Sequence, residues 1–216
     1  MSLSAIVPAL NEEKLIASTL SHLKRSVPKG TQIILADGHS SDRTRAIAKK
    51  YANVVREARK KGTSIASGRN AGVRLATGDI LLFCDADTRP DKAFVNEALQ
   101  ILRKQPDVVS VGCEIKPDVP DWNTQLFFSF LNLIVRVSTF LKNPVIAGNC
   151  VLYRASAFRQ VGGFDESMHA SEDQDLSQRI AKVGKVVLLT QFTAKTSNRR
   201  LEHEGWFGLL WDWGGT

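Results

Sequence analysis

The sequence predicts an α/β protein: a mostly parallel sheet with helices on both faces. Three observations carry that reading. Short apolar runs alternate with amphipathic stretches of helical period through residues 3–115, the pattern of successive βαβ units. The apolar runs are nearly continuous, as in strands buried on both faces. The composition, 216 residues with 43% hydrophobic and 24% charged, is that of a globular domain with a sizeable core.

Taken in order, residues 3–10 (LSAIVPAL) read as the first strand. Residues 12–25 follow as a helix with Leu15, Thr19, His22 and Leu23 near one face. Residues 32–37 (QIILAD) are a strand, and residues 40–51 open with capping residues and turn helical, with Asp42 as a helix N-cap. A short strand covers 53–58, and a helix weakened by Gly68 and Gly72 covers 63–77. The most continuous strand is 79–85, which runs into Cys84, Asp85, Ala86 and Asp87. Pro90 then starts a helix over 91–104, and residues 107–115 return as a strand. The sequence shows no repeat, low-complexity tract or linker.

Ligands bind such sheets beyond the carboxyl ends of the strands. That rule selects residues 8–11, 37–42 and 85–87. Asp85 and Asp87 are next-but-one neighbours, so in extended chain they point the same way. Two carboxylates about 5 Å apart repel by roughly 3 kcal/mol at an effective dielectric near 20. A hard divalent ion, Mg²⁺ or Mn²⁺, relieves that repulsion; a solvated turn is the plainer alternative.

Residues 122–143 interrupt the alternation. Their polar members Gln125, Ser129, Asn132, Arg136, Thr139 and Asn143 form one stripe on a helix otherwise apolar nearly all round. Sixteen residues from Leu126 to Leu141 fall short of the ~20 needed to span a bilayer. The expectation is burial in the core or residence at a membrane interface, with Arg136 facing a polar channel. The tail carries Trp206, Trp211 and Trp213 beside Phe207 and Leu209, a composition that suits an interface or docking onto the apolar helix.

The net charge of +7 favours anionic partners, but no nucleic-acid-binding signature is present. Cys84, Cys113 and Cys150 lie in apolar contexts without a CxxC pair, which points to reduced, buried thiols. The first residues lack a basic n-region and cleavage site. The expected location is therefore cytoplasmic, peripheral at the inner face of the membrane if lipid is met. A dehydrogenase needs GxGxxG after the first strand, and a nucleotidyltransferase a Gly-rich, Lys-bearing loop. The chain has PALNEEK there.

Five segments in this order, IVPALNEE (6–13), LADGHSSDRT (35–44), GRNAGVRLATGDILLFCDADT (68–88), GNCVLYRASAFRQVGGFDE (148–166) and SEDQDLSQRI (171–180), resemble the family-two nucleotide-sugar glycosyltransferases of the GT-A fold. The resemblance spans residues 3–180. It implies one glycosyltransferase domain over 1–216, with a Rossmann-like nucleotide-sugar-binding half at about 1–115 and an acceptor-side half at about 116–216. It implies a metal-dependent, inverting transfer from a nucleotide-diphosphate sugar, a UDP-sugar favoured over a GDP-sugar. The acceptor is a sugar, lipid or glycolipid. Matched positions assign donor contacts to Pro8, Asn11, Glu13, Asp37, Arg69, Asn70, Asp85, Ala86 and Asp87, with Asp37 reading the base. Asp85 and Asp87 hold the metal, and Asp173 is the general base. The family commonly has two adjacent acids where this chain has Asp37 then Gly38, which bears on base identity. RRLEHEGW faintly resembles a segment that closes over the diphosphate, making Arg199 and Arg200 candidate phosphate contacts. His203 stands without partner spacing for a metal ligand. The competing functions are a nucleotide-sugar-binding scaffold at a membrane surface and a nucleotidyltransferase.

Overall fold

A computed structural model describes residues 1–57, 64–168, 170–199, 201 and 205–206. Eight strands form one mixed sheet of order β3-β2-β1-β4-β7-β6-β8-β5. The first half is parallel: β1 (Leu3–Ala9) lies between β2 (Gln32–Asp37) and β4 (Ile80–Cys84), with β3 (Val54–Glu57) outside β2. Every residue of β1 and β4 is buried, which accounts for their unbroken apolar runs. The strand period of two divides the core. Leu3, Ala5, Val7 and Ala9 face one apolar cluster, while Ile6 faces a second.

The first cluster is covered by α1 (Ile16–Ser26), which buries Ile16, Leu20 and Leu23, and by α4 (Lys92–Lys104), which buries Phe94, Val95, Ala98, Leu99 and Leu102. Both end on basic residues that complement the helix dipole. On the second face lies α3 (Ile65–Val73). A Cβ at its Gly72 would stand 2.5 Å from Ile6 Cγ2, so glycine is what lets α3 sit down on β1.

The second half reverses direction. β7 (Cys150–Arg154) runs antiparallel between β4 and β6 (Val108–Pro117), leading into α6 (Ala155–Gln160). α7 (Glu172–Ala181) precedes the long β8 (Lys185–Thr196), which pairs with β6 on one edge and with β5 (Thr88–Pro90) on the other. The three cysteines are free and buried, Cys84 directly opposite Cys150.

α5 (Trp122–Phe140) starts on a capping box, Asp121 Oδ1 accepting from Thr124 N and Thr124 Oγ1 from Asp121 N. Its inner face buries Phe127, Phe128, Leu131 and Val135, with Ile115, Leu201 and Trp206 in the same small cluster. It is neither wholly buried nor spanning. Among the described residues no helix is long and apolar enough to cross a membrane.

Several boundaries differ from the sequence expectation. α1 starts at Ile16, not residue 12, because the amides of Glu12 and Glu13 donate to Thr44 Oγ1 and Asp42 Oδ2 across the neighbouring turn. α2 is only Thr44–Ala48. The amides of Ser40, Ser41 and Arg43 go to the side chains of Asp37, Asn11 and Glu13, so side chains compete with the helix for its first donors. Pro90 does not start α4. It closes the edge strand β5, and Asp91 caps α4 by accepting from Ala93 N at 2.9 Å.

Candidate active site

Three strand ends meet in one cleft of about 290 Å³. β1 contributes Pro8, Ala9, Leu10 and Glu12; β2 contributes Ala36 and Gly38; β4 contributes Asp85, Ala86 and Asp87. The entry to α3, with Ser64, Ile65 and Gly68, forms another wall, and Arg199 closes the rim. A Cβ at Gly68 would meet nothing within 4 Å, so its glycine leaves the cleft open.

Asp37 is fully buried between two cleft residues. Its Oδ2 accepts from Ser40 N at 3.1 Å and lies 3.7 Å from Arg45 Nε, while Oδ1 is buried and has no hydrogen-bond partner among the described residues. A buried acceptor left open costs about 1–3 kcal/mol, and a donor arriving from a ligand would recover it. Asn11 sits in the left-handed region (φ 55°), which asparagine tolerates. Its Oδ1 accepts from Ser41 N at 2.9 Å. Glu13 accepts from Arg43 N and Nε. Asp42 is not the N-cap expected of it: that position is Arg43, one residue on, and Asp42 accepts from Thr44 N at 2.9 Å and from Glu13 N at 3.0 Å, tying the two turns together.

On β4, Asp87 Oδ1 accepts from the hydroxyls of Thr88 and Thr196 at 3.3 and 3.4 Å. Burial first, then the charge of Asp85, pushes its carboxyl up to about 6. Arg199 Nη2 donates to Glu12 Oε1 and stands 3.7 Å from Asp87 Oδ2. Glu12 Oε2 is buried and has no hydrogen-bond partner among the described residues. Glu12, not its neighbour Glu13, is therefore the acid that faces the cleft. The NEE run contains it, but sequence alone does not say which of two adjacent acids a turn will aim inward. Arg200, His203, Phe207, Trp211 and Trp213 lie outside the described residues.

A second group adjoins the first through Asp85. Arg69, 2% exposed, donates from Nη2 to Asp85 Oδ1 at 2.9 Å and from Nη1 to Glu172 Oε1 at 2.6 Å. Its guanidinium lies 5.2 Å from the Phe164 ring centroid. Asn70, one residue on, spends its amide on Phe164 and Glu166. Asp173 accepts from Gly148 N at 2.8 Å and Gln174 N at 2.9 Å. Burial raises both Glu172 and Asp173 above the usual carboxylate range, opposed by Arg69. Ser171, just before them, has φ 60°. A serine held there costs of order 1–3 kcal/mol, and it turns the chain so that α7 opens on its acids.

Gly148 is the residue sequence reasoning passed over. A Cβ there would lie 2.9 Å from Arg69 Nη1 and 3.0 Å from Asp173 Cβ. It opens the GNCVLYR segment that carries part of the resemblance, but nothing local to it announces a close approach to Arg69 and Asp173. Thr196 was also missed, because β5 is three residues long and its pairing with β8 spans more than a hundred residues.

The donor set fits a hard divalent ion. Two carboxylates line one wall, and Asp85 Oδ1 is engaged by Arg69 while burial and its neighbour disfavour the charge on Asp87. Among the described residues no group of three His, Cys, Asp or Glu could hold a metal. Asp85 and Asp87 are the two carboxylates that would hold such an ion, with substrate and water completing its shell.

Residues 4–162 match the family model described as glycosyl transferase family 2, and residues 121–212 match that of a glycosyltransferase-like family 2. The pre-mycofactocin glycosyltransferase of Mycobacterium tuberculosis is 26% identical over 160 residues, covering 70% of this chain and 33% of the relative. The chain thus spans about a third of that relative's length. Mannosyltransferase PcManGT from Pyrobaculum calidifontis, solved with GDP-Man and Mn²⁺, superposes with a TM-score of 0.76 at 21% identity, over 94% of this chain and 59% of that one. TarS of S. aureus, residues 1–349 with UDP-GlcNAc, gives 0.69 at 21%, over 91% and 59%. The fold is GT-A.

Proposed function

The chain belongs to glycosyl transferase family 2, and from that premise we propose that it transfers a sugar from a nucleotide-diphosphate donor to an acceptor hydroxyl with inversion at the anomeric carbon. One observation carries the reading: Arg69 ties Asp85, on the wall of the strand-end cleft, to Glu172 beside Asp173. A donor site and a basic group for an acceptor are thereby held in one network.

Each residue then has a task. Asp37 Oδ1, buried and open, takes an N–H of the base. Uracil offers one at N3 and guanine one at N1; we favour a UDP-sugar, with a GDP-sugar as the alternative, TarS having been solved with UDP-GlcNAc and PcManGT with GDP-Man. Pro8, Ala9, Leu10 and Gly38 line the cleft as its apolar and backbone walls. Arg199, half-exposed beside Glu12 and Asp87, turns onto the diphosphate. Asp85 and Asp87 are the residues that would hold Mg²⁺ or Mn²⁺, which when bound would supply positive charge against a departing diphosphate. Asp173 accepts the acceptor's proton. Its raised affinity for protons suits a base working near neutral pH. Its two backbone donors fix the carboxylate's orientation. Asn70 and Arg69 shape the acceptor side of the network, not the cleft wall. A lipid or glycolipid is the acceptor class we favour, because α5 borders this half with an exposed apolar face.

A thermal-shift panel of UDP-, GDP- and dTDP-sugars with and without Mn²⁺ tests this. The expected result is stabilisation by one base class, larger with the cation, growing as RT ln(1 + [L]/Kd). Asp85→Ala with Asp87→Ala should abolish the cation's contribution. Stabilisation by no nucleotide sugar overturns the donor assignment. Turnover unchanged by Asp173→Asn overturns the base assignment, and donor binding with no turnover under any acceptor returns the scaffold reading.

A further inference from the structure

The outer face of α5 and the groove behind it use residues the transfer chemistry does not. Trp122, Leu126, Phe130, Leu133, Val137 and Phe140 are all exposed, Trp122 at 78% and Phe140 at 85%. At 100° per residue these six fall within an arc of about 80°, along roughly 27 Å of helix. Water-facing apolar stripes of that length mark interaction surfaces.

Beside the stripe runs a groove of about 640 Å³ between α5 and the C-terminal ends of the paired strands β6 and β8. Its cations are Lys116, Arg136 and Lys195, and its acids are Glu114 and Asp118. Arg136 is paired with the buried Glu114. Lys116 and Lys195 are direct cross-strand partners in the parallel β6–β8 pair. They project from the same face, where like charges opposite one another destabilise a sheet. An anion between them removes that penalty. The groove also ends at Pro117 and Asp118, beside Thr196, whose hydroxyl reaches Asp87.

We propose that α5 seats the protein on an anionic bilayer, its apolar stripe sunk at the headgroup boundary and a lipid phosphate held in the groove by Lys116, Lys195 and Arg136. Charge complementarity selects this occupant. The groove is net positive by one and the chain carries +7. Amphipathic helices with basic flanks bind such surfaces by this combination. The inference rests on the acceptor half of the proposed function and is independent of the donor half.

Vesicle co-sedimentation of the chain tests it, using phosphatidylcholine alone and with about one-third phosphatidylglycerol. Expected is binding to the anionic vesicles, loss of binding in Leu126→Asp/Leu133→Asp/Phe140→Asp, and at least a tenfold weaker partition in Lys116→Gln/Lys195→Gln, at about fivefold per lysine. About 0.5 M NaCl should weaken binding in the same way. All substituted positions are exposed, and unchanged circular dichroism with a retained UDP-sugar thermal shift separates lost docking from lost folding or lost donor binding. The Trp122 fluorescence of the unsubstituted protein, taken as the difference from Trp122→Phe, should shift blue on vesicles. Three results overturn the proposal. One is a wild-type chain left in the supernatant. Another is equal binding to neutral and anionic vesicles. The third is a dimer that the Asp variant dissociates while vesicles stay unbound, which makes the stripe an interface between copies. Stabilisation by inorganic phosphate, lost in the lysine variant, without vesicle binding makes the groove a free-anion site and overturns it too.

Discussion

Replacing Asp87 by Asn should stabilise the ligand-free protein while destroying its response to cations. Burial and the neighbouring Asp85 push the Asp87 carboxyl up to about 6, against about 3.9 for a free aspartate. The folded state therefore holds a proton between these values that the unfolded chain has released. Wild-type stability falls as pH rises across that window and stays reduced above it. The gap is about 3 kcal/mol, an upper figure because the side chain keeps 16% of its exposure. Asn retains an oxygen for the hydroxyls of Thr88 and Thr196 and carries no charge. At pH 8 the variant should melt several degrees above wild type, at about 2–4 °C per kcal/mol for a chain of this size. Near pH 4 the two curves should converge. Scanning calorimetry without divalent cations, from pH 4 to 8, reads both. A variant less stable than wild type at pH 8, or a difference that ignores pH, refutes the account of Asp87 as a charge held at a cost.

Asp173→Asn should lower transfer by about 10²–10⁴-fold while the donor-induced thermal shift survives; in wild type, turnover should fall on acidification at a pH above the usual carboxylate range, as steady-state rates across pH will show. Gly148→Ala should cost about 1–3 kcal/mol and cut turnover more than donor affinity, because the new methyl meets Arg69 and Asp173; chemical denaturation and kinetics together check it. Arg69→Met should cost about 3–5 kcal/mol, since it strips the buried partner from Glu172 and Asp85. Urea midpoints equal to wild type would show the network contributes nothing.

The parallel half of the fold was legible in the chain because β1, β2 and β4 are buried almost throughout and so read as unbroken apolar runs. β1, β2 and β4 appear within a residue or so of their predicted ends. The antiparallel half was harder. β5 is a three-residue edge strand containing Pro90, and β8, half-exposed along most of its length, lacks the continuous apolar signature. Asp37, Asp85 and Asp87 were readable from the carboxyl-end rule, and the structure brings the last two to one cleft wall. Arg69 and Asn70 were expected at the nucleotide, whereas the structure sets Arg69 among Asp85, Glu172 and Phe164 and Asn70 against Phe164 and Glu166. Nothing local to GRNAG announces a partner 103 residues away. The polar stripe of α5 was read correctly as a stripe, but its neighbour, the exposed apolar one, is visible only once the buried face is known.

The bridge that Arg69 makes between Asp85 and Glu172 leaves the two halves of the molecule without electrical independence. Filling the cleft alters the demand on Asp85, and the same guanidinium answers to both acids. By reciprocity, if a ligand in the cleft tightens or loosens the hold on one bound beside Glu172 and Asp173, the second must shift the first one's affinity by the same factor, whichever arrives first.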